Sequence, residues 1–205
     1  MKRIGITQRR DPVLNRTEVR DSLDVNWATL LWNLGILPIP LCSDIENTQA
    51  YLQALNLDGF ILSGGNDIGE MAKRDTLESA ILEYSKIHQR PVLGICRGMQ
   101  FINHFQGGSL IKFQGHAATV HERLIGQWAD ELGICQVNSF HNYVINVETL
   151  GEDLTPLAKA EDGIIEAIKH NNYPWLGLMW HPERELFLNE WDANIIKKHS
   201  IRDKK

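Results

Sequence analysis

One stretch constrains this chain more than any other: Pro91-Val92-Leu93-Gly94-Ile95-Cys96-Arg97-Gly98-Met99-Gln100. A short apolar run with the look of a strand buried on both faces enters G-x-C-x-G and continues into a helical pattern. The spacing is that of a strand–turn–helix elbow, the cysteine counterpart of G-x-S-x-G. Such a turn forces its central residue into a strained backbone conformation. Glycines on either side remove the Cβ atoms that would collide there. Cys96 would then sit at a helix N-terminus, where unpaired N–H groups and the helix dipole favour a thiolate. An elbow of this kind presupposes a parallel sheet with helices packed on it.

The rest of the chain fits that frame. Strands are expected at Arg3–Thr7, Leu37–Leu41, Gly59–Leu62 and Pro91–Ile95. Helices are expected at Val19–Leu34, Thr76–His88 and Arg97–Phe105, the last ended by Gly107-Gly108. After Leu110 the texture shifts to shorter, more antiparallel strands at Val120–Ile125, Ile134–Val137, Val144–Val147, Ile164–Lys169 and Leu176–Trp180. A final helix runs from Leu188 to Lys198, and Ile201–Lys205 reads as a frayed end. This is an α/β chain with a mixed, mostly parallel sheet. With 205 residues, no repeat and no linker, residues 1–205 read as one domain.

A formal net charge of −5 argues against non-specific nucleic-acid binding. No apolar run is long enough to cross a bilayer. The opening Met1-Lys2-Arg3-Ile4-Gly5-Ile6-Thr7 lacks the long apolar region of a signal peptide. A cytoplasmic protein that binds neither membrane nor nucleic acid is therefore expected. Cys42, Cys96 and Cys135 form no CxxC pair, so neither a disulfide framework nor a zinc knuckle is indicated. Cys42 and Cys135 read as small core residues.

A cysteine nucleophile needs a base and a group to orient that base. His181 stands where the apolar run Leu176–Trp180 ends. Pro182 follows it, and Glu183 is placed to turn back towards the ring. A second strand, Phe60-Ile61-Leu62, runs into Ser63-Gly64-Gly65-Asn66-Asp67, whose bare N–H groups could hold an oxyanion at Gly65 together with the N–H of Arg97. His116 and His121 lie close in sequence, but no acidic or cysteine neighbour completes a metal site, and none is expected. His88, His104, His170 and His199 fall on helix faces or loops.

These motifs resemble the class I glutamine amidotransferase-like superfamily, and within it the γ-glutamyl hydrolase branch, peptidase C26. The resemblance rests on Ser63–Asp67, on Arg74-Asp75 with Glu78, and on Gly94–Gln100 with Asn103 and Gly107-Gly108. Val137-Asn138-Ser139 with His141, Asp162–Glu166 and His181-Pro182-Glu183 complete it, in family order. It implies a flavodoxin-like three-layer α/β/α sandwich and a Cys96–His181–Glu183 triad. It also implies a glutamyl site at Gly64, Gln100, Asn138, Ser139, Phe140 and His141, with no cofactor. Arg97, where amidotransferase domains usually carry leucine, points to the hydrolase branch. The Ile68–Lys73 stretch lacks the usual proline and tyrosine, so the acceptor side of the pocket is expected to differ from that of γ-glutamyl-GABA hydrolases.

The opening Ile4–Arg9 and Arg20–Asp24 are similar to γ-glutamyl-CDP-amidate hydrolases of capsule phosphoramidate synthesis. That likeness implies a small-molecule γ-glutamyl substrate carrying a cytidine nucleotide. Arg9, Arg10, Arg16 and Arg20, after the first strand, suit a pyrophosphate. The alternatives are a γ-glutamyl-amine hydrolase and a glutaminase subunit feeding ammonia to a synthase. The sequence leaves homodimer formation open.

Overall fold

A computed structural model describes residues 1–133 and 136–200. The expectations for Cys135, for the start of the strand at 134 and for the frayed end at 201–205 lie outside the described residues. Among the described residues, eight strands form one sheet in the order Ile36–Pro40, Lys2–Ile6, Gly59–Leu62, Val92–Ile95, Trp175–Leu178, Ile165–His170, Leu154–Ala160, Leu124–Ile125. The first five are parallel, in register pairs such as Ile6–Ile61, Leu62–Gly94 and Gly94–Gly177. The last three pair antiparallel. The fold is thus α/β with a mixed, mostly parallel sheet.

Two apolar layers enclose the sheet. On one face, Trp27, Leu30 and Leu31 of helix Asn26–Asn33 and Ile195 and Ile196 of helix Glu190–Ser200 pack on Ile4, Ile61 and Ile95. On the other, helices Thr48–Leu55, Ala72–His88 and Arg97–Phe105 supply Leu52, Leu77, Ile81, Met99 and Ile102 to a second core with Phe60, Leu62 and Val92. The strands between them are buried on both sides, which is why 59–62 and 92–95 are apolar throughout.

Several expected elements move. The helix expected over Val19–Leu34 begins only at Asn26, because Val19–Ser22 pairs antiparallel with Arg9–Pro12. Val19 is exposed, so the helical spacing of apolar residues really starts at Leu23, and the Asp24 carboxylate accepts the Asn26 N–H to open the helix. The strand expected at Val144–Val147 is only Tyr143–Val144, paired with Ile111–Lys112. Strand Leu154–Ala160 escapes sequence reading because Pro156 interrupts it, and the pairing register shifts there to accommodate the proline. Cys42, expected in the core, is exposed. His170 is buried at a strand end, where its Nδ1 accepts the N–H groups of Asn172 and Tyr173.

Candidate active site

Cys96 links strand Val92–Ile95 to helix Arg97–Phe105 with φ 50° and ψ −104°, a conformation a side chain adopts only under constraint. The constraint is visible on both sides. The Cys96 N–H donates to the Leu178 carbonyl at 2.7 Å, extending the sheet ladder into the turn. A Cβ on Gly98 would come 2.0 Å from the Leu62 carbonyl oxygen, and one on Gly94 would lie 2.6 Å from Gly98. Only glycine lets strand and helix meet this closely. The Arg97 N–H is the first of the helix and has no intrahelical acceptor.

His181 follows the neighbouring strand Trp175–Leu178. Pro182 starts a single 3₁₀ turn, Pro182–Arg184, that brings Glu183 back onto the ring. The His181 Nδ1 and Glu183 Oε1 are 2.6 Å apart, and both residues are buried. Burial works against the imidazolium. Hydrogen bonding with Cys96 and Glu183 outweighs it and pushes the His181 pKa up to about 9. The backbone of His181 is clasped by Asn138, whose side chain accepts the His181 N–H at 2.8 Å and donates to its carbonyl at 2.9 Å. Phe140 meets the imidazole edge-on, 5.8 Å between centroids, and Arg184 lies over Phe140. A Cβ on Gly64 would sit 2.8 Å from His181 Cε1, so this glycine makes room for the ring. Gly65 has φ +97°.

The Gly64-Gly65 loop rests on a buried charge network. The Arg74 guanidinium donates to the Ser63 carbonyl at 2.6 Å and the Gly64 carbonyl at 3.0 Å, and pairs with Glu78. Glu78 also accepts from Thr7 at 2.8 Å and from Arg97. Arg97 further pairs with Asp75 and donates to the Asn66 carbonyl at 2.9 Å. The Arg97 side chain therefore ties the elbow to the Gly-Gly loop and points away from the cleft. Burial opposes the Glu78 charge, but Arg97 and Arg74 prevail and hold its carboxyl below the usual range.

A cleft of about 260 Å³ opens beside His181 between this loop and the Arg9–Pro12/Val19–Ser22 hairpin, lined by Arg9, Ser22, Asp24, Gly64, Gly65 and Arg184. Arg9 reaches it while its guanidinium pairs with Asp11 at 2.7 Å. Arg20 stands on the same face of the hairpin, two residue pairs further out, held by Glu18 at 2.6 Å. Arg10 faces the other way, donating to Ser43 at 2.6 Å and pairing with Asp44. The arginine-rich segment is thus a hairpin carrying its own acidic partners, not a free basic loop. Ser22 and Asp24 fall in the Arg20–Asp24 stretch that carries the resemblance but are not among the expected site residues, and Arg184 lies outside every motif. Only the position of Arg184, next to Glu183, could have flagged it.

Two further candidates are each held by a backbone carbonyl. The Gln100 amide donates to the Tyr143 carbonyl at 3.0 Å, and the Ser139 hydroxyl donates to the His116 carbonyl at 2.6 Å. His141 joins a second buried group. The expectation that His116 and His121 lack an acidic partner is overturned, because Glu166, on a main-sheet strand distant in sequence, lies against the ribbon that carries them. The ligand atoms of His116, His121, His141 and Glu166 all lie within 4.8 Å of one another.

The peptidase C26 model matches residues 4–183. The chain belongs to the peptidase C26 family. It is 38% identical to the γ-glutamyl-CDP-amidate hydrolase of Campylobacter jejuni, over 95% of this chain and 96% of that one. It is 30% identical to the putative glutamine amidotransferase-like protein YvdE of Lactococcus lactis, over 79% of each. A putative GMP synthase subunit from Thermoplasma acidophilum shares the fold, with a TM-score of 0.70 and 22% identity over 98% of this chain and 92% of that one. No helix among the described residues is long and apolar enough to cross a membrane.

Proposed function

We propose that this chain is a cysteine hydrolase of a γ-glutamyl amide, acting as one hydrolase domain over residues 1–205 in the cytoplasm. The observation that carries the reading is the strained Cys96 elbow facing a His181 whose proton is retained up to about pH 9 by Cys96 and Glu183. The Cys96 thiolate attacks the γ-carbonyl carbon. The oxyanion is met by the N–H groups of Gly65 and Arg97. His181 gives its proton to the leaving nitrogen as the C–N bond breaks, leaving a glutamyl thioester on Cys96. His181 then takes a proton from water, which displaces the thiolate and frees glutamate. Glu183 orients the imidazole throughout.

The substrate we assign is a γ-glutamyl-CDP-amidate, releasing glutamate and cytidine diphosphoramidate for capsular polysaccharide modification. The full-length likeness to the Campylobacter jejuni hydrolase supports this, as does the position of Arg9 and Arg184 at the cleft, with Arg20 further out on the hairpin. The test is a substrate panel on the purified chain: γ-glutamyl-CDP-amidate, γ-glutamyl-GABA, γ-glutamyl-putrescine and glutamine. A clear preference for the nucleotide conjugate is expected. A preference for a small γ-glutamyl amine overturns the substrate and leaves the chemistry standing. Cys96→Ala is expected to lose at least about 10³-fold in kcat/KM, and full turnover by that variant overturns the mechanism.

A further inference from the structure

Outside the Cys96 site, four side chains with buried, unpartnered polar atoms converge on one point. Glu166 is fully buried, and neither of its carboxylate oxygens has a hydrogen-bond partner among the described residues. Facing its Oε1 are His121 Nε2 at 3.5 Å, His141 Nε2 at 3.6 Å and His116 Nδ1 at 3.8 Å, each equally without a partner. These separations are too long for hydrogen bonds. They lie a few tenths of an ångström above the edges of a tetrahedron around one ion. Ligands about 2.0–2.1 Å from a zinc centre stand about 3.3–3.4 Å from each other. The outer nitrogens are already fixed. His116 Nε2 meets the Asp162 carboxylate at 2.8 Å, and His141 Nδ1 donates to the Tyr143 carbonyl at 3.0 Å. Those bonds place the protons outside and turn the lone pairs of His116 Nδ1 and His141 Nε2 inwards, the arrangement that outer-sphere partners impose on metal-binding histidines.

We propose that His116, His121, His141 and Glu166 form a zinc(II) site that fastens the two-stranded ribbon Ala117–His121/Val137–Phe140 to the central sheet. Three imidazoles and one carboxylate suit zinc, and four protein ligands close the tetrahedron, which is the signature of a structural rather than a catalytic ion. The connectivity gives the ion something to hold. His116 precedes and His121 ends one strand of a two-stranded ribbon, Ala117–His121. His141 follows the other, Val137–Phe140, and Glu166 belongs to sheet strand Ile165–His170. That ribbon carries Asn138 and Phe140, which hold the backbone and ring of His181. The ion thus acts on the Cys96 site at one remove, as a positioning element.

The experiment uses the full untagged chain. Metal analysis of the purified protein is expected to find about one zinc per chain, removable by a chelator and restorable. X-ray absorption should give a four-coordinate nitrogen/oxygen shell at about 2.0–2.1 Å without sulfur. Cobalt(II) loading should give tetrahedral visible bands that persist in Cys96→Ser. Glu166→Gln and His121→Asn should each weaken cobalt binding at least about ten-fold. The loaded protein should melt several degrees above the stripped one. Uptake of well under about one-tenth equivalent of zinc and cobalt overturns the proposal. So does a sulfur ligand in the absorption spectrum, or binding unchanged in both variants. The spectroscopy on the unaltered chain decides the matter even if the variants fold poorly.

Discussion

Glu78 and Glu166 are both fully buried carboxylates, one on helix Ala72–His88 and one on strand Ile165–His170, and the molecule treats them oppositely. Glu78 lies where the parallel strands end. Its oxygens are answered by Thr7, Arg74 and Arg97. Glu166 sits in the antiparallel half and faces three imidazoles, none within hydrogen-bond distance. A buried charge is tolerable when its partners are built in, or when something from outside completes it. The first solution makes a rigid scaffold under the Gly64-Gly65 loop. The second makes a site that is finished only by a ligand. Between them lie two intermediate cases. Glu183 has one oxygen on His181, and Asp192 has one oxygen on the Trp180 indole N–H at 3.0 Å, each with its second oxygen unpartnered.

The contrast is most severely tested by Glu78→Gln. Removing this charge strands two buried guanidinium groups, which is expected to cost about 3 to 5 kcal/mol in denaturant unfolding. The sign with pH agrees. The Glu78 carboxyl is held below its usual range, so its contribution is present above the unfolded pKa and is lost as pH falls through the lower folded value. A cost below about 1 kcal/mol would mean that the network is closed by Asp75 alone, and the proposed division between built-in and externally completed charges would fail.

Glu183→Gln probes the half-answered carboxylate at the proposed catalytic histidine. The His181 pKa lies at about 9, above its unfolded value, so the protonated form is fully populated below the unfolded pKa and is lost as pH rises through about 9. The alkaline limb of kcat/KM should therefore lie near pH 9. In Glu183→Gln it should move down by about one to two pH units, equivalent to about 1.4 to 2.7 kcal/mol of imidazolium stabilisation. A limb that stays in place would show that Cys96 alone holds the proton.

The sign opposite to that at Glu78 is expected at Asp192. Burial pushes its carboxyl up to about 7, and the Trp180 N–H only partly offsets this. The unfolded chain ionises Asp192 near its ordinary value and the folded chain does not, so stability is lost as pH climbs towards 7 and the loss is complete above it. Asp192→Asn is expected to raise stability by about 1 to 2 kcal/mol at pH 8 and to change it little at pH 4. Thermal melts at the two pH values read the difference, and equal shifts at both would rule out ionisation as the cause.

How much of this was legible in the sequence follows from the range of the interactions. The elbow could be read because strand, strained residue and glycines are consecutive, and because Gly94 and Gly98 leave no room for any other residue. His181 and Glu183 could be read for the same reason: one turn contains both. The hairpin Arg9–Pro12/Val19–Ser22 was hidden because Val19 and Leu23 mimic one more turn of the helix that follows. The Glu166 cluster was hidden for a deeper reason. Its four members come from the two arms of a ribbon and from a strand of the main sheet, and only the pairing within the ribbon and its packing on that sheet set their distances. Spacing along the chain carries no trace of that encounter.

The smallest effect is the most discriminating. In chelator-treated protein, Glu166→Gln is expected to change unfolding stability by less than about 1 kcal/mol in either direction. Glutamine keeps the shape, its amide can approach an imidazole nitrogen, and the charge it removes has no cation to leave behind. The same carboxylate-to-amide change at Glu78 removes the counter-charge of Arg74 and Arg97, so the two substitutions differ in context and not in chemistry. If Glu166→Gln proved as costly as Glu78→Gln with no metal present, the Glu166 charge would have to be answered from within the fold, by a protonated imidazole among His116, His121 and His141. The two halves of the molecule would then handle buried charge alike. A near-neutral result in the stripped protein, beside a large loss in the zinc-loaded one, would fix the difference on the ion itself.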